Sequence, residues 1–127
     1  MAKILLVDDE EHIRLLYQEE LAEEGYDVVT AATGYGLLDV ISRERPDVVV
    51  LDIRLADHDG LELLQEIRNT YYDLPVILCS AYESFKKNLK AIAADAYVVK
   101  SSDLNPLKKA IQRAVEGRGV TGSKEGV

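Results

Sequence analysis

The hydrophobic residues of this chain fall into five short blocks that are separated by longer amphipathic stretches. Three of the blocks are nearly continuous runs of Val, Ile and Leu, a pattern typical of strands buried on both faces of a parallel sheet. The predicted strands are Lys3–Val7, Asp27–Thr30, Asp47–Leu51, Pro75–Cys79 and Ala96–Val99. The chain therefore has the strand content of one parallel sheet.

The stretches between the blocks repeat apolar residues every three to four positions, which is the spacing of an amphipathic helix. In the first stretch, Ile13, Leu16, Tyr17 and Leu21 fall on one side. The predicted helices are Glu11–Glu24, Tyr35–Glu44, Gly60–Asn69, Ser84–Ala94 and Leu104–Glu116. Because strands and helices alternate, we expect right-handed βαβ units. The predicted fold is a doubly wound α/β domain, with a five-stranded parallel sheet and helices on both faces.

The length of 127 residues, 47% of them apolar, suits one domain with one core. We assign residues 1–116 to this domain. Residues 117–127 are polar and Gly-rich and lack apolar periodicity, so they predict a flexible C-terminal tail.

The net charge of −8 argues against a DNA or RNA surface, because binding to phosphate backbones draws on clustered Lys and Arg. No apolar run approaches the roughly 20 residues of a membrane span, and the apolar N-terminal segment is too short for a signal peptide. We therefore expect a cytoplasmic protein without membrane insertion. The lone Cys79, in an apolar run, is interpreted as a buried small hydrophobe.

Polar residues with chemical potential follow four of the predicted strands. Asp8 and Asp9 come after the first strand, Asp52 after the third, Ser80 after the fourth and Lys100 after the fifth. Because carboxyl ends of parallel strands lie at one edge of a doubly wound sheet, where ligands bind, we expect these side chains to converge. Singly, each has a simpler structural interpretation, such as acids favouring a helix N-terminus. Their conjunction predicts a functional site.

The chemistry of this set suits phosphoryl transfer. Three adjacent carboxylates repel one another unless a cation lies among them, and Mg²⁺ prefers such oxygen ligands. Lys100 could neutralise a phosphoryl group and the Ser80 hydroxyl could donate to it. Asp52 could then act as the nucleophile that accepts the group.

The chain resembles the receiver domain of two-component response regulators over roughly residues 2–116. The motifs that carry this resemblance are Ile4–Glu10, Val48–Ile53 followed by Asp59-Gly60, Ser80-Ala81 and Tyr97–Lys100. The resemblance implies a (βα)5 flavodoxin-like domain of the single-domain type, with strand order 2-1-3-4-5.

By this resemblance Asp52 is the phospho-acceptor. Asp8, Asp9 and Asp52 would hold Mg²⁺, with Mn²⁺ as an alternative, together with the backbone carbonyl of Arg54. The resemblance also implies that the domain catalyses its own phosphorylation and dephosphorylation rather than the turnover of a separate substrate.

Other positions match the family's switch. Ser80 and Lys100 would bind the phosphoryl oxygens, and Tyr97 would swing inward when Ser80 moves toward them. Small Ala81 would leave the site accessible.

Two bulky residues, Arg54 and Tyr82, lie two positions beyond Asp52 and Ser80. We expect them to flank the route of an attacking water and to slow autodephosphorylation.

The implied partners are a histidine kinase or a histidine phosphotransfer protein and a downstream target protein, and the domain is expected to be a monomer or a weak dimer. An alternative is a receiver-like interaction module that is not phosphorylated. Retention of all five site residues favours phosphorylation.

Two positions depart from the family pattern. Ser101 follows Lys100 where the family usually has a cis proline. A non-proline cis bond costs about 2.5–4 kcal/mol, so we expect a trans peptide there. Ala56 replaces a proline in the loop after Asp52, which removes a rigid turn and is expected to loosen Leu55–Asp59.

Rival interpretations of the same loop are weaker. Asp57–Leu61 resembles the nucleophile loop of haloacid-dehalogenase-type phosphatases, but the predicted strand ends five residues earlier, at Asp52. A calcium loop is excluded because Leu55 occupies the first ligand position. His12 and His58 are interpreted as solvated side chains.

Overall fold

The computed structural model describes residues 2–81 and 94–125, and for residues 118–125 it describes the backbone. The elements are β1 (Lys3–Val7), α1 (Glu11–Glu23), β2 (Asp27–Ala31), α2 (Leu37–Glu44), β3 (Val48–Asp52), α3 (Gly60–Thr70), β4 (Val76–Ser80), β5 (Ala96–Val99) and α4 (Asn105–Glu125). The strands form one parallel sheet in the order β2-β1-β3-β4-β5. This confirms the predicted fold class and strand order.

The sheet has a hydrophobic layer on each face, because successive strand residues point to opposite sides. One layer joins Leu5 and Val49 to α2 and α3. The other joins Leu6 and Val50 to α1 and α4. The continuous apolar strands are thus explained by burial on both faces, as predicted.

The strands β3 and β4 each end one residue later than predicted, so that Asp52 and Ser80 are the last residues of their strands rather than the first residues of a loop. Asp52 pairs with Cys79 across the ladder, and the Lys100 N–H donates to the Ser80 carbonyl at 2.7 Å. Sheet hydrogen bonds therefore hold the backbone from which the site side chains project.

The packed side of α1 is narrower than the sequence predicted. Tyr17 and Leu21 are buried, but Leu16 is 48% exposed. Neighbouring helix residues differ by about 100° around the axis, so burying Tyr17 and Leu21 turns Leu16 outward.

The last helix is longer than predicted, because α4 continues to Glu125. Residues 117–125, which the sequence assigned to a flexible tail, are therefore helical. A helix that has formed extends readily, because each added residue contributes a backbone hydrogen bond. The division at residue 116 stays a prediction. None of the described helices, α4 included, is long and apolar enough to cross a membrane. The predicted helix Ser84–Ala94 lies outside the described residues except for Ala94.

An ion pair at the amino edge of the sheet joins α3 to the start of β5; we call Arg68 and Asp95 the Arg68–Asp95 brace. The Arg68 guanidinium donates to the Asp95 carboxylate, to the Leu74 carbonyl and, at 3.1 Å, to the Tyr72 carbonyl. The same carboxylate accepts the Val76 N–H at 2.8 Å. The brace thus ties the α3–β4 loop to two strands.

Candidate functional site

The carboxyl edge of the sheet carries a buried group of charges, Asp8, Asp52 and Lys100, which we call the charge centre. The Lys100 Nζ lies 2.8 Å from Asp8 Oδ2 and 3.0 Å from Asp52 Oδ2. The three side chains are 12%, 3% and 6% exposed for Lys100, Asp8 and Asp52. The structure therefore brings together residues that are 44 to 92 positions apart in the sequence, as the strand-end pattern predicted.

Backbone groups orient both carboxylates of the charge centre. Asp8 Oδ1 accepts the Glu10 N–H at 2.9 Å, and Asp52 Oδ1 accepts the Arg54 N–H at 3.1 Å. In each case the other oxygen accepts from Lys100. This division leaves one oxygen on each acid fixed by the loop that follows its strand.

For both Asp52 and Lys100, burial and the neighbouring charges of opposite sign shift the pKa in opposite directions. Burial raises the pKa of Asp52 above its ordinary value, and the attraction of Lys100 offsets this only in part. Burial alone would lower the pKa of Lys100, but hydrogen bonds and charges from Asp8 and Asp52 outweigh it and raise that pKa. The ammonium is therefore retained, beside a carboxylate that is more basic than one in water.

The residues after β1 have the donor set of a hard divalent cation. Carboxylate oxygens of Asp8, Asp9 and Glu10 lie within 4.8 Å of one another. Acidic groups outnumber the Lys100 ammonium here, and an added cation would relieve their repulsion. The residues therefore fit Mg²⁺, which binds through one or two carboxylates and retains waters. Glu10 was not predicted as a member of this group, because its place three residues after the strand suggested a helix start.

The remaining predicted site residues lie around the charge centre. Ser80 is buried at the end of β4, and Tyr97 is half-buried on β5, packed on the layer that contains α2 and α3. Ala81 is exposed at the edge. Arg54 has an exposed side chain, and its backbone pairs with that of Asp59 in a short antiparallel β-bridge. Tyr82 lies outside the described residues.

The two positions that depart from the family pattern have defined contacts. The Lys100–Ser101 peptide is trans, as expected, since the described chain has no cis bond. The Ser101 hydroxyl donates to the Asp103 carbonyl at 2.9 Å and shapes the loop before α4. The Ala56 N–H donates to Asp9 Oδ2 at 2.8 Å, a contact that proline could not make.

The two histidines differ, and one prediction was wrong. His12 is solvated as predicted, with 76% of its side chain exposed. His58 is half-buried, because the loop after β2 packs against its ring. Asp57 lies in the loop five residues past the end of β3, so it lacks the strand-tip position that a dehalogenase-type nucleophile needs.

Tyr17 borders the charge centre from α1, although its apolar spacing indicated only a core residue. Burial is the main cause that raises the pKa of Tyr17 to about 12. The charges of Cys79 and Asp8 also raise this pKa, and the charge of Lys100 lowers it. Nothing local in the sequence signals this, since the proximity depends on how α1 lies on the sheet.

Comparison with known proteins identifies close relatives. The family model described as the response regulator receiver domain matches residues 4–112. Sporulation initiation phosphotransferase F of Bacillus subtilis (strain 168) is 34% identical over 113 residues, which cover 87% of this chain and 91% of that protein. Two other curated relatives are longer, and the chain spans 25% and 50% of their lengths.

Solved structures give the same result. The response regulator TrrA from Thermotoga maritima, in complex with Mg²⁺-BeF, is 42% identical with a TM-score of 0.86, covering 90% of this chain and 99% of that chain. A chain of the complex between the histidine kinase ThkA and TrrA is 41% identical with a TM-score of 0.85, covering 91% and 99%.

Proposed function

This chain belongs to the family of response regulator receiver domains, and on that basis we propose that it accepts a phosphoryl group from a phosphohistidine partner on the carboxylate of Asp52. The observation that best supports this is the Lys100 ammonium held between Asp8 and Asp52 at 2.8 and 3.0 Å. A retained positive charge beside a basic, buried carboxylate is what an acceptor of an anionic group requires.

In the proposed step an oxygen of Asp52 forms a bond to phosphorus while the bond from phosphorus to the partner's imidazole nitrogen breaks. The imidazole leaves with the electron pair of that bond. Lys100 turns from its two carboxylates toward the phosphoryl oxygens and stabilises their charge, and the Ser80 hydroxyl donates to one of them. The Arg54 N–H holds Asp52 in position through its other oxygen.

Asp8, Asp9 and Asp52 would hold Mg²⁺, or Mn²⁺ in its place, with the backbone carbonyl of Arg54. When bound, the cation offsets the charge of the carboxylates and of the incoming phosphoryl oxygens. The acidic excess after β1 supports this site, and TrrA is a relative that was solved with Mg²⁺-BeF.

Phosphorylation adds a nearly dianionic group, to which Ser80 and Lys100 are drawn. Tyr97 then repacks on the sheet and changes the surface around β5. The proposed donor is a histidine kinase or a histidine phosphotransfer protein, and the readout is binding of a target or onward transfer. The complex of TrrA with the kinase ThkA supports the first kind of donor.

Autodephosphorylation is proposed to be slow, because the bulky residues Arg54 and Tyr82 follow Asp52 and Ser80 by two positions. Replacing both Arg54 and Tyr82 by Ala should shorten the phosphoryl lifetime, measured by loss of label with time. An unchanged lifetime would contradict this role.

The acceptor assignment is tested by intact mass after treatment with a small phosphodonor and Mg²⁺. We expect one phosphoryl group on the wild type, none on Asp52→Asn, and one on the control Asp73→Asn, whose carboxylate is exposed far from the charge centre. Labelling of Asp52→Asn would overturn the assignment. No labelling of the wild type would favour the alternative, an interaction module that is not phosphorylated.

A further inference from the structure

The loop between β3 and α3, residues 53–59, is held on its inner side by the candidate metal site. The Ala56 N–H donates to Asp9 Oδ2 at 2.8 Å, and the Arg54 N–H donates to Asp52 Oδ1 at 3.1 Å. Two acids of the site are thus oriented by backbone groups of one loop. The position of that loop therefore affects where their oxygens point.

The outer side of the same loop is held by the loop that follows β2. The Thr33 hydroxyl donates to Asp57 Oδ2 and accepts the Tyr35 N–H at 3.1 Å. His58 Nδ1 lies 3.2 Å from Asp57 Oδ1, and the Tyr35 ring meets the His58 ring edge to face, with centroids 4.5 Å apart. We call Thr33, Tyr35, Asp57 and His58 the loop clasp.

Close packing beneath the loop clasp depends on Gly34. A Cβ at that position would lie 2.7 Å from His58 Cγ and 2.7 Å from Leu63 Cδ1, closer than real carbon contacts. Glycine therefore lets the backbone after β2 lie directly against the His58 ring. The His58 Nδ1 is buried there, so the ring is part of the packing rather than a free surface group.

We propose that the loop clasp positions the Ala56 N–H on Asp9 and thereby raises the affinity of the acidic site for a divalent cation. A carboxylate has several lone-pair sites. The N–H that donates to Asp9 Oδ2 therefore leaves Oδ1 for the cation and restricts the orientation of the carboxylate. Groups that orient ligating carboxylates strongly affect metal affinity. Thr33, Asp57 and His58 are positioning residues in this scheme.

The inference rests on the proposed metal site but can be tested without phosphorylation. The dissociation constant for Mg²⁺ is measured by calorimetry on the full chain, without phosphodonor. Removing the donor in Ala56→Pro should weaken binding about tenfold, and Thr33→Val about threefold. The matched control Thr33→Ser keeps the hydroxyl and should bind Mg²⁺ like the wild type.

Two further readouts separate positioning from a general loss of stability. In metal-free protein, exchange of the Ala56 amide proton should speed up in Thr33→Val and not in Thr33→Ser. The double variant Thr33→Val/Ala56→Pro should bind no more weakly than Ala56→Pro alone, because the clasp acts through the Ala56 N–H.

Equal Mg²⁺ affinities for Thr33→Val and Thr33→Ser, or full additivity in the double variant, would overturn the inference even if Asp52 is phosphorylated. A clasp-dependent affinity in a chain that is never labelled at Asp52 would support the inference and overturn the proposed function instead.

Discussion

Two ion-paired groups lie at opposite edges of the same sheet, and they are built differently. In the Arg68–Asp95 brace one cation meets one carboxylate, and both also bond to backbone groups of the adjoining loop and strand. In the charge centre one ammonium faces two buried carboxylates, with Asp9 and Glu10 close to Asp8. The brace is balanced in charge, whereas the charge centre has an excess of acid.

This is the difference expected between a structural ion pair and the proposed phosphorylation site. Buried charge without full compensation costs stability, and folds keep such groups mainly at functional sites. The raised pKa of Asp52 reflects that cost, since burial disfavours its charged form. A balanced pair instead stabilises the loops that it joins. Removing a carboxylate should therefore lower the free energy of unfolding in the brace and raise it in the charge centre.

The largest expected effect is on phosphorylation by a small phosphodonor. Lys100→Ala removes the ammonium that would neutralise the phosphoryl group, so the labelling rate should fall roughly a hundredfold. The exposed Lys109→Ala serves as the control and should keep the wild-type rate. A rate for Lys100→Ala within threefold of the wild type would remove Lys100 from the mechanism.

The brace should affect stability and leave the chemistry intact. Asp95→Ala deprives Arg68 of its carboxylate and Val76 of an acceptor, so the free energy of unfolding in urea should fall by about 1–2 kcal/mol. The value lies below that of a fully buried pair because Asp95 is 48% exposed. Phosphorylation at saturating donor should stay at the wild-type level. A loss of labelling in a folded variant would contradict a purely structural role for the brace.

The charge centre should respond in the opposite direction. Because the pKa of Asp52 is raised, the protonated carboxyl favours the folded state, and this contribution is lost as pH rises through the folded pKa. In chelator at pH 7, Asp52→Asn should therefore be more stable than the wild type in urea. The gain should shrink as pH falls toward the ordinary carboxyl pKa of about 3.9. A less stable variant at pH 7 would contradict this interpretation.

The smallest expected effect concerns Cys79, which pairs with Asp52 in the sheet. Burial raises its pKa to about 12, so at pH 8 on the order of one thiol in ten thousand is ionised. Iodoacetamide should leave the native protein unmodified while alkylating it in urea, as seen by intact mass. Rapid alkylation of the folded chain would contradict this expectation and show that a thiol beside the charge centre is reactive.

Much of the fold follows from local pattern. The five apolar blocks predicted every strand to within one residue at each end, because a strand buried on both faces needs apolar residues throughout. The α1 boundary was also close, yet Leu16 proved exposed. Periodicity gives the width of an apolar face, but only packing on the sheet decides which residues at its margin are covered.

By itself the sequence determined the parallel α/β fold and the acids, hydroxyl and lysine at the strand ends, since both follow from short-range order along the chain. Only the tertiary structure decided that Lys100 lies between Asp8 and Asp52, that the Ala56 N–H meets Asp9, and that His58 is packed in the loop clasp. These contacts join residues that are distant in sequence. Their distances depend on strand register and on the paths of two loops, and neither is written in a local pattern.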